Sequence, residues 1–322
     1  MTKGAPMAQH HPIEIEPPDI TPFRQGNTGV DYVHVFDSGR PGPRVMLQAL
    51  THGNEFCGAI ALVHMLRKGL RPLLGSLTLA FANVAAFERF DFNAPDRSRY
   101  VDEDYNRVWS DDVLLSARDS IELRRARELA RFVDQADFLL DIHSMHEPCR
   151  PIMVCGQVEK GVQFAREIGV PADLLVDTGH PGGLRMIERG GFGDPASPRK
   201  AALIECGQHW EKNAVDVAVD TLLRFAQVTG AFDETWIQAR LRRPAPARQR
   251  VVRVTEAVVA KTMQFRFAEQ WRGLEVVPAA GTPIAYDQDT IWRAPYDNTV
   301  LVMPSLAHLK PGTTMVRLGR YD

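Results

Sequence analysis

Two histidines and a glutamate stand out as residues that could do chemistry. His52-Gly-Asn-Glu55 places an imidazole and a carboxylate three residues apart, and His143 follows later in an Asp-Ile-His-Ser context. Two imidazole nitrogens and one carboxylate make a complete three-ligand set for a catalytic zinc, with the fourth tetrahedral position left for water. A His-x-x-Glu pair alone is common on helix surfaces. It gains meaning from the third residue and from the elements that hold all three.

Those elements follow from the apolar pattern. Arg44-Val-Met-Leu-Gln-Ala-Leu50 reads as a strand, and Ala59, Leu62, Val63 and Leu66 recur at helical spacing after Glu55. His52 and Glu55 are therefore expected in the turn that closes a strand and opens a helix, the place where open α/β sheets bind ligands. His143 ends another apolar run, 138–142, and can reach the same rim.

From about 31 to 230 strand-like and helix-like segments alternate, which predicts an α/β fold with a largely parallel sheet. Strands are expected over 32–36, 45–50, 77–82, 138–142, 152–155, 174–177 and 201–205. Helices are expected after Glu55 and over 121–133 and 214–228, the last with its aliphatic side chains on one face. Residues 93–109 carry no clean period and are crowded with polar side chains, which predicts a long loop. Such loops inside a compact domain are usually functional, although Arg97, Arg99, Asp102, Glu103 and Asp104 could equally neutralise one another on a surface.

The domain plan read from the chain is a flexible tail over 1–20, a catalytic α/β domain over 21–235, a basic, proline-containing linker over 236–250 and a small all-β domain over 251–322. Strands in the last are expected over 274–277, 299–303 and 314–318. The stretch 294–303 resembles a biotinyl or lipoyl carrier hairpin, but Pro304-Ser305 stand where the modified lysine would be.

The 322 residues are 44% hydrophobic and 24% charged, ordinary for a globular protein, and the net charge of −2 gives no sign of a nucleic-acid or acidic-membrane partner. The linker arginines lack the aromatic interleaving of a nucleic-acid site. No apolar run approaches the ~18 residues that span a bilayer. The first 18 residues are polar and lack an apolar signal core, so a cytoplasmic protein is expected. The four cysteines, Cys57, Cys149, Cys155 and Cys206, form no Cys-x-x-Cys pair and read as free thiols. Cys57 and Cys206 lie near the candidate residues in sequence, so a thiol ligand or nucleophile is a minor alternative.

An ordered set of segments carries a resemblance. His52-Gly-Asn-Glu55, Ser98-Arg-Tyr100 with Asp104-Tyr-Asn-Arg107, Asp141-Ile-His143 and Ala202-Leu-Ile-Glu-Cys-Gly207 together resemble the succinylglutamate desuccinylase/aspartoacylase family, relatives of the zinc carboxypeptidases. The resemblance covers roughly 45–228. It implies a zinc-carboxypeptidase-like, mostly parallel mixed sheet flanked by helices, with a C-terminal β domain. It further implies one zinc ion per chain bound by His52, Glu55 and His143. Glu205 matches the family's general base, Arg99 the arginine that polarises the scissile carbonyl, and Asn106 with Arg107 the pair that holds a substrate carboxylate.

The residue types suit those roles. A carboxylate beside the attacking water can take its proton and pass it to the leaving amine. A fixed guanidinium stabilises the charge that builds on the carbonyl oxygen, and the planar fork of Arg107 can grip a carboxylate through two hydrogen bonds. Asp141 would share the strand face of His143 and orient it, or else face solvent. His146 is an alternative ligand.

The expected activity is hydrolysis of the amide of a small N-acylated amino acid, and a homo-oligomer is compatible with it. The alternatives are a carboxypeptidase-like peptidase and a non-catalytic zinc-binding protein. The chain departs from the family pattern at Tyr105, where leucine is usual, and over Ser144-Met-His-Glu-Pro-Cys-Arg150. Arg185, Arg189 and Arg199 all precede Glu205, and none has the spacing of the arginine that reads a second substrate carboxylate. Tyr286 and Tyr296 are candidates for a tyrosine from the C-terminal domain.

Overall fold

The computed structural model describes residues 11–177 and 182–322. The strands are β1 (Val33–Asp37), β2 (Arg44–Ala49), β3 (Ser76–Phe81), β4 (Phe138–Met145), β5 (Ile152–Val154), β6 (Asp173–Val176), β7 (Lys200–Gln208), β8 (Arg250–Val259), β9 (Arg266–Phe267), β10 (Glu275–Val277), β11 (Pro283–Asp287), β12 (Thr290–Arg293), β13 (Thr299–Val302) and β14 (Thr314–Tyr321). The helices are α1 (Phe56–Lys68), α2 (Val84–Phe87), α3 (Asp111–Leu114), α4 (Ile121–Gln135), α5 (Glu159–Ile168), α6 (Lys212–Val228) and α7 (Glu234–Gln238).

Eleven strands form one sheet in the order β1-β3-β2-β4-β7-β5-β6-β8-β14-β13-β10. The centre is parallel, β3-β2-β4-β7, while β5 runs antiparallel to β7 and β1 to β3. The sheet is thus mixed and mostly parallel at its centre, as the alternating pattern predicted. The central strands are buried along nearly their whole length because helices cover both faces. One core packs α1, α5 and α6 on one face, through residues such as Leu62, Phe164 and Leu222. The second core packs α4 on the other face, through Leu123, Ala126 and Leu129.

The chain from Arg250 on contains strands and no helix, and it has a core of its own around Val258, Ile284 and Leu318. Its first strand nevertheless pairs in parallel with β6, so the main sheet runs on into this region through β8, β14, β13 and β10. A second sheet, β12-β11-β9, completes it.

Two segments differ from their expected looseness. The tail expected over 1–20 lies outside the described residues up to 10. Beyond that, Ile15 and Ile20 are buried in the first core and Glu14 N donates to Trp210 O at 3.0 Å, because the apolar residues of Ile-Glu-Ile-Glu find a place beside α6. The basic stretch 236–250 is tied down as well: Arg242 N donates to Asp220 Oδ1 at 2.8 Å, and Arg240 stacks on Trp236. Among the described residues no helix is long and apolar enough to cross a membrane.

Candidate active site

The turn after β2 directs two polar side chains into the interior. Leu50 adopts a left-handed φ of 59°, which swings the chain out of the strand, and β-carbon strain of this kind persists where packing over-determines it. At Gly53 a β-carbon would sit 2.4 Å from Ser98 O and Phe87 N, so only glycine lets the turn press against the 95–99 segment. Glu55 is the residue that precedes α1, and its side chain turns inward rather than capping the helix.

His52, Glu55 and His143 meet in the interior, at 4%, 1% and 2% exposure. Nδ1 of His52 lies 2.7 Å from Glu55 Oε1 and Nδ1 of His143 lies 3.0 Å from Glu55 Oε2. The other nitrogen of each ring faces a second carboxylate, His52 Nε2 to Asp104 Oδ1 at 3.1 Å and His143 Nε2 to Asp141 Oδ2 at 2.7 Å. That arrangement is the usual support of a metal-ligating histidine, since the outer carboxylate fixes the tautomer and aims the inner nitrogen. Asp141 does face His143, and it also accepts a hydrogen bond from Thr51 Oγ1 at 2.8 Å.

The charges fit a cation. Burial opposes ionisation of the His143 ring, yet Asp141 and Glu55 outweigh it and hold its pKa well above the ordinary value. Burial likewise raises Glu55, but the two imidazoles overcome it and the carboxyl stays well below its usual range. A positive charge between these groups is what the surroundings favour. The group could hold a metal ion.

Glu205 is the register partner of His143 in the parallel β4–β7 pair, so two adjacent strands deliver both to one rim. Its Oε2 is buried with no hydrogen-bond partner among the described residues, and burial pushes its pKa up to about 7. Arg99 reaches in from the 95–99 turn: Nη2 lies 2.9 Å from His52 Nε2 and 3.2 Å from Asp104 Oδ2, and Nη1 lies 3.6 Å from Glu55 Oε1. Asn106 and Arg107 sit in the following turn. Asn106 Oδ1 accepts from Met186 N at 3.0 Å, and Arg107 Nη1 donates to the Asn106 carbonyl at 2.6 Å while its buried Nε has no hydrogen-bond partner among the described residues. Burial brings the Arg107 pKa down to about 10. All seven residues line one cavity of about 570 Å³.

Several residues of the site had no assigned role in the sequence reading. Asp104 bridges His52 and Arg99. Glu122, at the start of α4, accepts from the backbone N–H groups of Val101, Asp102 and Glu103 at 2.6, 3.0 and 3.2 Å, which pins the loop that carries Asp104. The signal for it was a lone acidic residue on a buried helix face, which reads as an ordinary first-turn glutamate. From the far end of the chain, Met303, Ser305, His308 and Arg317 line the same cavity. Arg317 Nε lies 3.0 Å from Asp177, which also pairs with Arg185. Arg185 lines the cavity; Arg189 and Arg199 are held elsewhere, on Asp134 and on the carbonyls of Val133 and Ala136.

Other candidates fall away from the cavity. Tyr296 hydroxyl bonds Thr255 and Tyr286 stacks under Arg266. Cys57 and Cys206 are buried in the first core and line no part of the cavity. His146 does not join the first three residues; it lies between Asp96 and Glu147.

Fold and site together define an α/β protein with a buried His–Glu–His group at the rim of its parallel strands. The chain belongs to the succinylglutamate desuccinylase/aspartoacylase family, whose catalytic-domain profile matches residues 41–203. Among solved structures it resembles succinylglutamate desuccinylase from Vibrio cholerae (15% identity over 91% of this chain and 90% of that one, TM-score 0.65). It also resembles succinylglutamate desuccinylase/aspartoacylase from Rhodobacter sphaeroides (17%, 88% and 87%, 0.62). A third is the product-bound ectoine utilization protein EutE (DoeB) from Ruegeria pomeroyi (14%, 89% and 88%, 0.64). At these identities the likeness establishes the fold. No curated protein sequence matches the chain.

Proposed function

We propose that this protein is a zinc-dependent hydrolase that cleaves the amide bond of a small N-acylated amino acid. The observation that carries the reading is the buried carboxylate oxygen of Glu205, unpartnered among the described residues, on the strand next to His143 in the cavity where His52, Glu55 and His143 converge. A glutamate is costly to bury without partners, and such carboxylates cluster where protons are moved.

His52, Glu55 and His143 are the residues that would hold the ion, through both Nδ1 atoms and the Glu55 carboxylate. When bound, zinc supplies Lewis-acid charge to a substrate carbonyl. Glu205 takes a proton from the attacking water and hands it to the leaving nitrogen; a pKa near 7 suits a group that must do both. Arg99, held by Asp104, presents its guanidinium to the developing oxyanion. Arg107 offers Nε to a substrate carboxylate, and Asn106, with its oxygen already engaged, offers its amide donors. The C-terminal residues that line the cavity favour a small substrate over a polypeptide threading through the site.

The test is amine release from a panel of acetyl, succinyl and formyl amino acids by zinc-loaded and chelator-stripped protein. Zinc-dependent release is expected. No release from any member by the loaded protein, with cleavage of longer peptides instead, would replace this reading with a peptidase.

A further inference from the structure

A second group of imidazoles and a carboxylate lies at the cavity edge, outside the machinery described above. His11 Nε2 is 3.1 Å from Glu147 Oε2, and His146 Nδ1 is 3.1 Å from Glu147 Oε1. The other nitrogen of His146 faces Asp96 Oδ2 at 3.2 Å, and Ser305 Oγ donates to Glu147 Oε1 at 3.3 Å. His146 and Glu147 line the cavity, whereas His11 comes from the N-terminal segment.

The wiring repeats that of the first group. There Nδ1 of His143 faces Glu55 and its Nε2 rests on Asp141; here Nδ1 of His146 faces Glu147 and its Nε2 rests on Asp96. Donor separations of 3.1 Å are close to the ~3.3 Å between two ligands of a tetrahedral ion with bonds of ~2.0–2.1 Å. The group is partly buried, with side-chain exposures of 10% for His11, 9% for His146 and 28% for Glu147, so an ion there would be shielded but reachable. Two carboxylates, Asp96 and Glu147, flank the His146 ring and place negative charge on both sides of it. Mixed nitrogen and oxygen donors suit zinc and its transition-metal neighbours rather than calcium or magnesium.

We propose that His11, His146 and Glu147 form a second site for a divalent ion of the zinc class, separate from His52, Glu55 and His143, and that the ion ties the N-terminal segment to the mouth of the cavity. The three ligands come from the N-terminal segment and from the end of β4, and Ser305 adds a contact from the C-terminal region. An ion at this point would fasten the N-terminal segment to the chain that follows β4. The site lies beyond the hydrolytic reading and does not depend on it.

The experiment is equilibrium dialysis of chelator-stripped full-length protein against zinc, with metal counted per chain. The wild type is expected to bind two ions, and His11→Ala and Glu147→Gln one each. His143→Ala is expected to keep the ion of the second site. In parallel, the protease that cuts after glutamate reports on Glu14 and Glu16: zinc should slow cleavage there in the wild type and leave the His11→Ala rate unchanged. A wild-type ion count that stays unchanged in His11→Ala and Glu147→Gln would overturn the site. Two ions without protection at Glu14 and Glu16 would overturn the tie.

Discussion

The cavity has two kinds of wall. One is the rim of the parallel strands, where His52, Glu55, His143 and Glu205 project from β2, β4, β7 and the turns that follow them. The other is made by residues from the far end of the chain, Met303, Ser305, His308 and Arg317. The first wall rests on a lattice of backbone pairing that fixes each side chain to its neighbour: His143 sits opposite Glu205 because β4 and β7 are in register. The second hangs on β14 and the loop before it, which reach the site only because β6 and β8 carry the sheet across. The difference suggests that chemistry belongs to the rigid rim and substrate choice to the wall that arrives from a distance. Substitutions on each side can break that division.

The largest effect is expected at the rim. Glu205→Gln keeps shape and volume but removes the proton acceptor, so turnover should fall by about 10²–10⁴ or more while zinc remains bound. Metal content and kcat measured on the same preparation decide the matter, and an active, zinc-replete variant removes Glu205 from its role. Next comes Arg107. Its Nε has no hydrogen-bond partner among the described residues, and Arg107→Ala should raise KM by roughly tenfold to a hundredfold with a smaller change in kcat, as expected for a lost charge-assisted contact to the ground state. Arg107→Lys should recover only part of it, because lysine lacks the fork. An unchanged KM would mean the substrate carboxylate is held elsewhere.

Arg317 tests the distant wall. It already shares Asp177 with Arg185, so part of its charge is spent within the protein. Arg317→Ala should change KM only a few-fold for a substrate with one carboxylate and more for one with two, since a second anionic group would need the spare cationic charge near Arg185. Equal effects on mono- and dicarboxylate substrates would remove the C-terminal wall from selection.

The same division explains what was legible in the sequence. The rim could be read because its determinants are local: His52 and Glu55 lie three residues apart at a strand–helix junction, and His143 and Glu205 each end or cross an apolar run. The ordered family segments then supplied Arg99, Asn106 and Arg107. The supports were less visible. Asp104 is one acidic residue in a charged loop, and nothing local says that its partner is His52, 52 residues away. Glu122 reads as a helix-start glutamate and in fact holds three backbone N–H groups of another segment. Arg317 lies 112 residues beyond Glu205 in an alternating strand whose inward face has no motif. Even the tail looked loose because three isoleucines among glutamates and prolines give no period, although Ile15 and Ile20 both reach the core. Long-range pairing decides such positions, and short-range spacing cannot report it.

The smallest effect concerns stability, and it separates the carboxylates of the rim from one another. Glu55 and Glu205 are both buried, yet imidazoles hold Glu55 ionised while burial raises Glu205 from its ordinary 4.5 to about 7. A carboxyl with a raised pKa is more readily protonated in the folded chain than in the unfolded one. Its contribution is therefore complete below about 4.5 and declines as pH rises through 7, where the fold must accept an unpartnered charge. Glutamine has no such charge. In metal-stripped protein, Glu205→Gln should leave Tm nearly unchanged at pH 5 and raise it relative to wild type at pH 8, by about 2 °C for each kcal/mol in a chain of this size. A Tm difference independent of pH would mean that Glu205 finds a partner in solution and does not stand as the isolated base of the rim.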